Sequence, residues 1–218
     1  MGREFNELFN EWAQSYDQTV SGHDPEYEDV FKDYNKILST VAEKSAGTVI
    51  EFGVGTGNLT AILNNRGINV YGIEPSEGMR EIAQKKLNKV TLLDGDFLNF
   101  PQIDEEINTI VSTYAFHHLT DTEKDLAIQK YSKLLNENGS IIFADTVFPS
   151  ELAKRERIRE SRNQNFHRLA DDLEREYYTT IPILQHIFEK YGFSVSFIQL
   201  NSFVWLIEAI KGKNLENN

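Results

Sequence analysis

The chain of 218 residues contains no cysteine. That absence removes disulfides, thiolate nucleophiles, cysteine-held zinc and iron–sulfur clusters from consideration. Long apolar runs are missing too: no stretch reaches the roughly 18 apolar residues of a membrane-spanning helix. The opening MGREFNELFNEWAQSY carries no apolar block behind a basic start, the pattern of a secretory signal. Basic residues are scarce, 22 Lys and Arg against 34 Asp and Glu, for a formal net charge of −12. A surface that negative repels phosphate backbones and anionic membranes at long range, which counts against nucleic acid and membranes as partners. A cytoplasmic, reducing location is the expectation.

What is present is ordinary for a globular protein: 40% hydrophobic, 11% aromatic and 26% charged residues. We expect a single domain over residues 1–212, with an N-terminal helical lid at about 1–45, a helical insertion at about 146–180 and a frayed tail at 213–218. Phe5, Leu8, Phe9, Trp12 and Tyr16 fall at helical spacing, so residues 4–16 read as a helix with an aromatic face, either packed on the core or lying over a ligand. A second helix is expected from Pro25 to about Lys44. Strand-like runs then follow at 48–52, 69–73, 90–93, 107–112 and 140–144, separated by helical stretches at 58–65, 76–87 and 121–135. Thr120 and Glu123 frame the last of these as a capping box. This alternation predicts an α/β fold with a mostly parallel, Rossmann-like sheet covered by helices on both faces. Residues 150–176 read as helical and charged, and another helix runs from Thr180 to near Gly192. The runs 193–200 and 202–210 lie too close together for a crossover, so the last strand is expected to be antiparallel, in a hairpin at the sheet edge.

The most informative stretch is Glu51-Phe-Gly-Val-Gly-Thr-Gly57, which follows the first strand and opens a helix. Gly53, Gly55 and Gly57 allow a tight turn and close approach of a ligand to helix N–H groups. The dinucleotide fingerprint G-x-G-x-x-G is not met, because the third glycine comes one residue early and Asn58 takes its place. No Gly-Lys-Ser/Thr follows for a phosphate loop. Glu51 reads as an acid pointing into the turn, which disfavours a pyrophosphate and suits a cation. Glu74 ends the second strand, where a carboxylate can take both ribose hydroxyls. After the third strand comes Asp94-Gly-Asp96-Phe97: Asp96 is placed to accept from an exocyclic amine, Phe97 flanks a base, and one of the two aspartates could simply cap a turn.

A nucleoside that carries positive charge in place of phosphate meets these demands, and S-adenosyl-L-methionine has that character. The chain here resembles the class I S-adenosylmethionine-dependent methyltransferases over nearly its whole length. The resemblance rests on E-x-G-x-G-x-G at 51–57, Glu74, Asp-Gly-Asp-Phe at 94–97, Leu134-Leu135 through Gly139, and the terminal hairpin. The opening MGREF, Trp12-Ala13 with Tyr16-Asp17, and Tyr114-Ala-Phe-His117-His118-Leu-Thr-Asp121 resemble the YrrT family of methyltransferases more narrowly. The resemblance implies Gly53, Glu74 and Asp96 as principal cofactor contacts, with Glu51, Gly55, Phe97 and Thr113 beside them and Tyr16 covering the methionine end. It also implies S-adenosylhomocysteine as product. Without cysteines for a cluster, only polar methyl transfer is expected.

Such transfer draws most of its catalysis from in-line positioning, with a base where the nucleophile carries a proton. Candidates at the carboxyl edge are Tyr114, His117 and His118, with Asp145 at the end of the fifth strand. Two adjacent histidines cannot easily face the same way, so one packs or caps and the other, His118 by preference, faces the pocket. No metal is expected, since adjacent histidines chelate poorly and no third ligand is evident. Amino methylases of bases and glutamine share an Asn/Asp-Pro-Pro-Tyr turn at the place where this chain has Ser112-Thr-Tyr-Ala-Phe116, so a small-molecule acceptor is expected. Segment 154–168 holds six basic residues against two acidic, either a solvated face or an arginine clamp for an acidic acceptor. Phe5, Phe9, Trp12, Tyr16 and Phe148 suggest an aromatic pocket wall. The competing readings are a sensor or adaptor that binds the cofactor without catalysis, and a nicotinamide-dependent oxidoreductase.

Overall fold

The computed structural model describes residues 10, 13, 14 and 16–212. The aromatic face expected from Phe5, Leu8, Phe9 and Trp12, and the expected tail 213–218, lie outside the described residues. Helix α1 spans Tyr34–Lys44, α2 Asn58–Asn65, α3 Glu77–Lys86, α4 Asp121–Leu134, α5 Glu151–Asn163, α6 His167–Arg175 and α7 Ile181–Lys190. The strands are β1 Thr48–Phe52, β2 Asn69–Ile73, β3 Thr91–Leu93, β4 Ile107–Thr113, β5 Leu135–Thr146, β6 Phe193–Gln199 and β7 Val204–Lys211. They form one seven-stranded sheet in the order β3-β2-β1-β4-β5-β7-β6. The pairs among β1 to β5 are parallel, and β7 runs antiparallel to both β5 and β6. This is the mostly parallel, Rossmann-like sheet expected from the alternation. The order reverses between β1 and β4, which opens a crevice at the carboxyl ends of those strands.

Strand alternation divides the core. Ile50, Phe52, Ile141 and Phe143 face α4 and α7, where Ile128, Tyr131, Leu184 and Phe188 cover them. Val49, Val111 and Ile142 face α1 and α2, where Leu38, Val41, Leu59 and Leu63 cover them. Each such aliphatic side chain contributes about 2 kcal/mol on burial. Local signals place the helix starts. Ser76 caps α3 by accepting from Met79 N–H. The Thr120–Glu123 box caps α4 from both sides, with Thr120 N–H donating to Glu123 Oε2 at 2.9 Å. Pro182 sits in the first turn of α7. Among the described residues no helix is long and apolar enough to cross a membrane.

Three expectations change. The helix expected from Pro25 begins only at Tyr34, because residues 25–33 turn and Asp33 takes a left-handed φ of 62°. That break lets Tyr27 and Phe31 point across to α6 and β4: Tyr27 O–H donates to Asp172, and Phe31 lies 5.2 Å from Tyr114. Tertiary contacts thus outweigh helix propensity here. The stretch 150–176 is two helices, broken where Asn165 adopts φ 63° and Phe166 N–H turns back to Ser161 C=O at 2.9 Å. Strand β5 runs well past the expected 140–144 at both ends, passing through a left-handed Asn138. The terminal hairpin lies at the sheet edge as expected, with β7 between β5 and β6 and β6 outermost.

Candidate functional site

The glycine turn after β1 uses its three residues for three reasons. All have positive φ: 70° at Gly53, 57° at Gly55 and 86° at Gly57. A Cβ on Gly53 would lie 2.6 Å from the Ala115 methyl, so this position seals the turn against the β4 loop. A Cβ on Gly57 would press on Leu87 and Ala83, so this glycine seats α2 against α3. At Gly55 nothing lies within 4 Å, and its backbone faces an open cleft that a side chain would enter.

Glu74 stands across from that turn at the end of β2. Its Oε2 accepts from Gly55 N–H and its Oε1 from Ser76 N–H, both at 2.8 Å. Burial raises its pKa, while the two N–H donors pull it back. Each oxygen keeps a second lone pair for a hydroxyl donor. Asp96, at the end of β3, is the aspartate that caps a turn: its Oδ1 accepts from Leu98 N–H and Asn99 N–H at 2.9 and 2.8 Å. The same residue lines the cleft. Its neighbour Asp94 instead pairs with Arg80 at 3.2 Å.

The cleft measures about 660 Å³ to its open mouth and brings together Tyr16, Gly53, Gly55, Glu74, Asp96, Phe97, Thr113 and His118. Pro75, Met79, Ala115 and Leu119 line it as well. These apolar neighbours carried no motif; only their position beside Glu74 and the histidines gives them away. No lysine or arginine is among the described residues that line the cleft. A buried carboxylate with spare lone pairs beside an open glycine turn fits S-adenosylmethionine.

Three expected residues sit differently. Glu51 does not line the cleft. It is 1% exposed beneath the turn, and burial raises its pKa to about 8. Phe97 contributes to the cleft, but its ring is stacked on Phe52 at 5.3 Å and ties the cleft floor to the core. Phe148 packs into the α1–α2 core and meets Tyr178 edge-on at 6.3 Å, so it supports a wall without forming one.

Against expectation, the adjacent histidines lie side by side, with ring centroids 4.1 Å apart, and both line a second cavity. His117 turns inward: Nδ1 lies 2.6 Å from Asp145 Oδ1 and Nε2 3.2 Å from Glu176 Oε2. Its backbone N–H also donates to Asp145 Oδ2 at 2.9 Å, and its ring stacks on Tyr178 at 4.6 Å. Burial opposes its charge, but Asp145 and Glu176 outweigh burial and raise its pKa to about 10. Both carboxylates respond in kind: burial opposes their ionisation, yet the imidazolium holds Asp145 below the usual range and Glu176 at about 2. His117, His118 and Glu176 offer ligand-type atoms within 4.8 Å of one another. Glu176 is thus the third ligand-type residue that the sequence did not reveal, and both His117 nitrogens also meet carboxylates. Asp145 therefore orients His117 and does not reach the cleft. His118 faces the cleft, and burial together with the neighbouring imidazolium depresses its pKa to about 3, so its ring is neutral.

A second, larger cavity adjoins the first, about 1180 Å³ to its mouth. Tyr16, Tyr114 and His118 belong to both. Tyr114 is the strained member, a tyrosine at φ 54°, and its buried hydroxyl finds no hydrogen-bond partner among the described residues. Such strain costs about 1–3 kcal/mol and persists only where surrounding structure enforces it. Tyr27, Phe31 and Tyr178 add further rings, and the C-terminal end of α6 supplies Asp171, Asp172 and Glu176. Glu176, essential to the His117 network, was missed in the sequence because its partner lies far earlier in the chain. Of the basic segment 154–168, Arg168 reaches this cavity, where Asp24 and Glu26 hold it at 2.8 and 3.0 Å. Arg162 is bound by Glu174 and Asp171, and Arg157 by Glu160. These three arginines are engaged by the protein's own acids, which agrees with the solvated-face alternative at those positions.

Comparison with known proteins agrees with this geometry. Residues 49–139, from β1 into β5, match a family model described as a methyltransferase domain. The chain is 59% identical over 212 residues to a Geobacillus kaustophilus protein described as an uncharacterized methyltransferase, covering 97% of this chain and 99% of that one. A relative in Oceanobacillus iheyensis with the same description is 55% identical, covering 97% and 99%. Among solved structures, the magnesium protoporphyrin IX methyltransferase of Synechocystis with bound S-adenosylhomocysteine superposes with a TM-score of 0.75. It covers 97% of this chain and 100% of its own at 18% identity, which shows a shared fold. Full-length relatedness and a cleft built for a phosphate-free nucleoside converge: the chain belongs to the class I S-adenosylmethionine-dependent methyltransferases.

Proposed function

We propose that the methyl group goes to a small molecule seated in the second cavity, next to the cofactor cleft. When bound, S-adenosylmethionine supplies an electrophilic methyl on a sulfonium, and its displacement leaves S-adenosylhomocysteine. The observation that carries the reading is the shared wall: Tyr16, Tyr114 and His118 line both spaces, so a molecule in one touches the contents of the other. His118 stays neutral and offers a ring nitrogen to orient a nucleophile's N–H or O–H. Tyr114 keeps its proton, since burial raises its pKa, and its unsatisfied hydroxyl is a donor in search of a lone pair. The nucleophile's proton leaves to solvent through the open mouth.

The polypeptide before α1 serves as a lid on this reading. Asp17 accepts from Thr56 Oγ1 at 2.6 Å and Asn58 Nδ2 at 3.0 Å, and pairs with Lys86 at 3.0 Å. Asn10 accepts from Ser76 Oγ at 2.6 Å and Gly78 N–H at 3.1 Å. These bonds strap Tyr16 across the junction of the two cavities. Insertion 146–180 forms the opposite wall. The strongly acidic surface speaks for a small acceptor over nucleic acid.

Release of S-adenosylhomocysteine from fractions of small metabolites tests the proposal. Active fractions should lose activity at least tenfold with Tyr114→Phe and with His118→Ala, while S-adenosylhomocysteine binding changes little. Turnover on nucleic acid or protein with none on small molecules would overturn it. Cofactor binding with no turnover on any of them would favour a sensor.

A further inference from the structure

Two imidazoles and a carboxylate converge on the wall of the second cavity, an arrangement that methyl transfer does not by itself require. His117 and His118 come from the single helical turn Phe116–His118 after β4, and Glu176 follows the end of α6. Each brings one ligand-type atom to a common point, all within 4.8 Å of one another, and all three residues line the cavity. A tetrahedral ion with nitrogen and oxygen ligands at about 2.0–2.2 Å spaces those atoms about 3.4 Å apart. His117 Nε2 and Glu176 Oε2, at 3.2 Å, already have that spacing. For His118, at most about 1.4 Å of closure completes the third corner, within reach of a ring rotation. The expectation of no metal rested on a missing third ligand, and Glu176 supplies it.

Behind these three lies the outer shell that metal sites use. A metal-binding histidine gives its other ring N–H to a carboxylate, and a ligating carboxylate is itself hydrogen-bonded. Asp145 takes His117 Nδ1 at 2.6 Å and is fixed in turn by the N–H groups of His117 and Thr146 at 2.9 and 2.7 Å. That leaves Nε2 as the nitrogen aimed at Glu176. Tyr178 donates its O–H to Glu176 Oε2 at 2.9 Å, and its ring stacks on His117 at 4.6 Å, which fixes the imidazole plane. Oε2 has two lone pairs, one for the tyrosine and one for an ion.

Coordination needs no excess of acids on the lining, because lone pairs hold the ion. Without it, a proton on His117 Nε2 lies toward Glu176, and the ion takes that proton's place. His117 then stays neutral, so a doubly charged ion balances Asp145 and Glu176, while Arg175 beside them is matched by Asp172. Two imidazoles with one carboxylate suit a first-row transition ion, whereas magnesium and calcium prefer oxygen alone. We propose that His117, His118 and Glu176 bind a divalent transition-metal ion of the zinc type, with Asp145 and Tyr178 as its outer supports and a fourth coordination position facing the cavity.

The test is calorimetric titration of EDTA-treated, dialysed protein with Zn²⁺, with Mg²⁺ as the contrast, and Co²⁺ absorption spectroscopy. Zn²⁺ should bind at one ion per chain with the release of about one proton, and Mg²⁺ on the order of a hundredfold more weakly. Co²⁺ should give the intense visible bands of a four-coordinate centre. His117→Gln, His118→Ala and Glu176→Gln should each weaken Zn²⁺ by about tenfold or more, while Asp171→Asn, an acid on the same lining outside the triad, leaves it unchanged. A cooperative thermal transition certifies that each variant is folded. His118 stands outside the His117 ion pairs, so its variant keeps the test decisive where the other two unfold. Absence of Zn²⁺ binding, or binding that survives all three substitutions and so belongs to the exposed His23, His167 or His186, would overturn the proposal. Failure of S-adenosylhomocysteine to bind would remove the methyl-transfer reading and leave this site standing.

Discussion

Replacing Asp145 with asparagine should cost more stability than any surface substitution in this protein, and the reason is countable. Asp145 accepts from His117 Nδ1 at 2.6 Å, from His117 N–H at 2.9 Å and from Thr146 N–H at 2.7 Å, all out of solvent. Asparagine keeps the shape but leaves a buried imidazolium with Glu176 as its one remaining counter-ion. Breaking a buried pair in this way costs about 3–5 kcal/mol. For a chain of this size, roughly 2–4 °C per kcal/mol translates that into a Tm lower by about 6–20 °C. The pH profile gives an independent readout. His117 has its pKa raised to about 10 in the folded state, so its contribution is complete below its unfolded value of 6.5 and is lost as pH rises through about 10. Glu176, lowered to about 2, contributes fully above its unfolded value of 4.5 and loses that contribution as pH falls through about 2. The network is therefore at full strength between roughly pH 5 and 6. Urea unfolding from about pH 7 to about pH 9 should show wild type losing on the order of 2–3 kcal/mol relative to His117→Gln, from about 1.4 kcal/mol per pH unit. An Asp145→Asn variant within 0.5 kcal/mol of wild type, or parallel pH slopes for wild type and His117→Gln, would refute the reasoning.

The glycine turn offers a paired contrast. Gly53→Ala drives a methyl to 2.6 Å from Ala115 at positive φ and should lower Tm along with cofactor binding. Gly55→Ala, with open space around it, should cost only about 1–2 kcal/mol of stability yet weaken S-adenosylhomocysteine at least tenfold by calorimetry. Lys124→Met should destabilise by about 1–3 kcal/mol in urea, because the buried ammonium donates to the carbonyls of Leu119 and Tyr177 and a thioether cannot.

The crevice was readable from the sequence because its determinants are local. A glycine spacing, a carboxylate at a strand end and a two-residue offset after β3 need no knowledge of distant chain, and Glu74 and Asp96 fall where those signals put them. The second cavity was not, since it is assembled from separate segments. Tyr27, Tyr114 and Glu176 meet only once the chain is folded, and the turn at 25–33 that brings Tyr27 inward contradicts the local helical spacing. Glu51 shows how strand alternation refines a motif. The period of β1 sends Ile50 and Phe52 to one face and Val49 to the other. Glu51 goes with Val49, toward α2, and so lies beneath the turn and off the cleft lining.

The placement of β7 has a consequence for how the protein is made. Residues 204–210 pair with β5 along its length from Ser140 to Thr146, wedged between β5 and the β6 strand that precedes them. During synthesis, every other strand leaves the ribosome before the one that closes the sheet. The nascent chain thus carries the bare edge of β5 until its last strand emerges, an edge apolar on both faces and open to pairing with a neighbour. A chain ending before Val204 would keep its glycine turn and its carboxylates yet be driven to associate by that exposed strand.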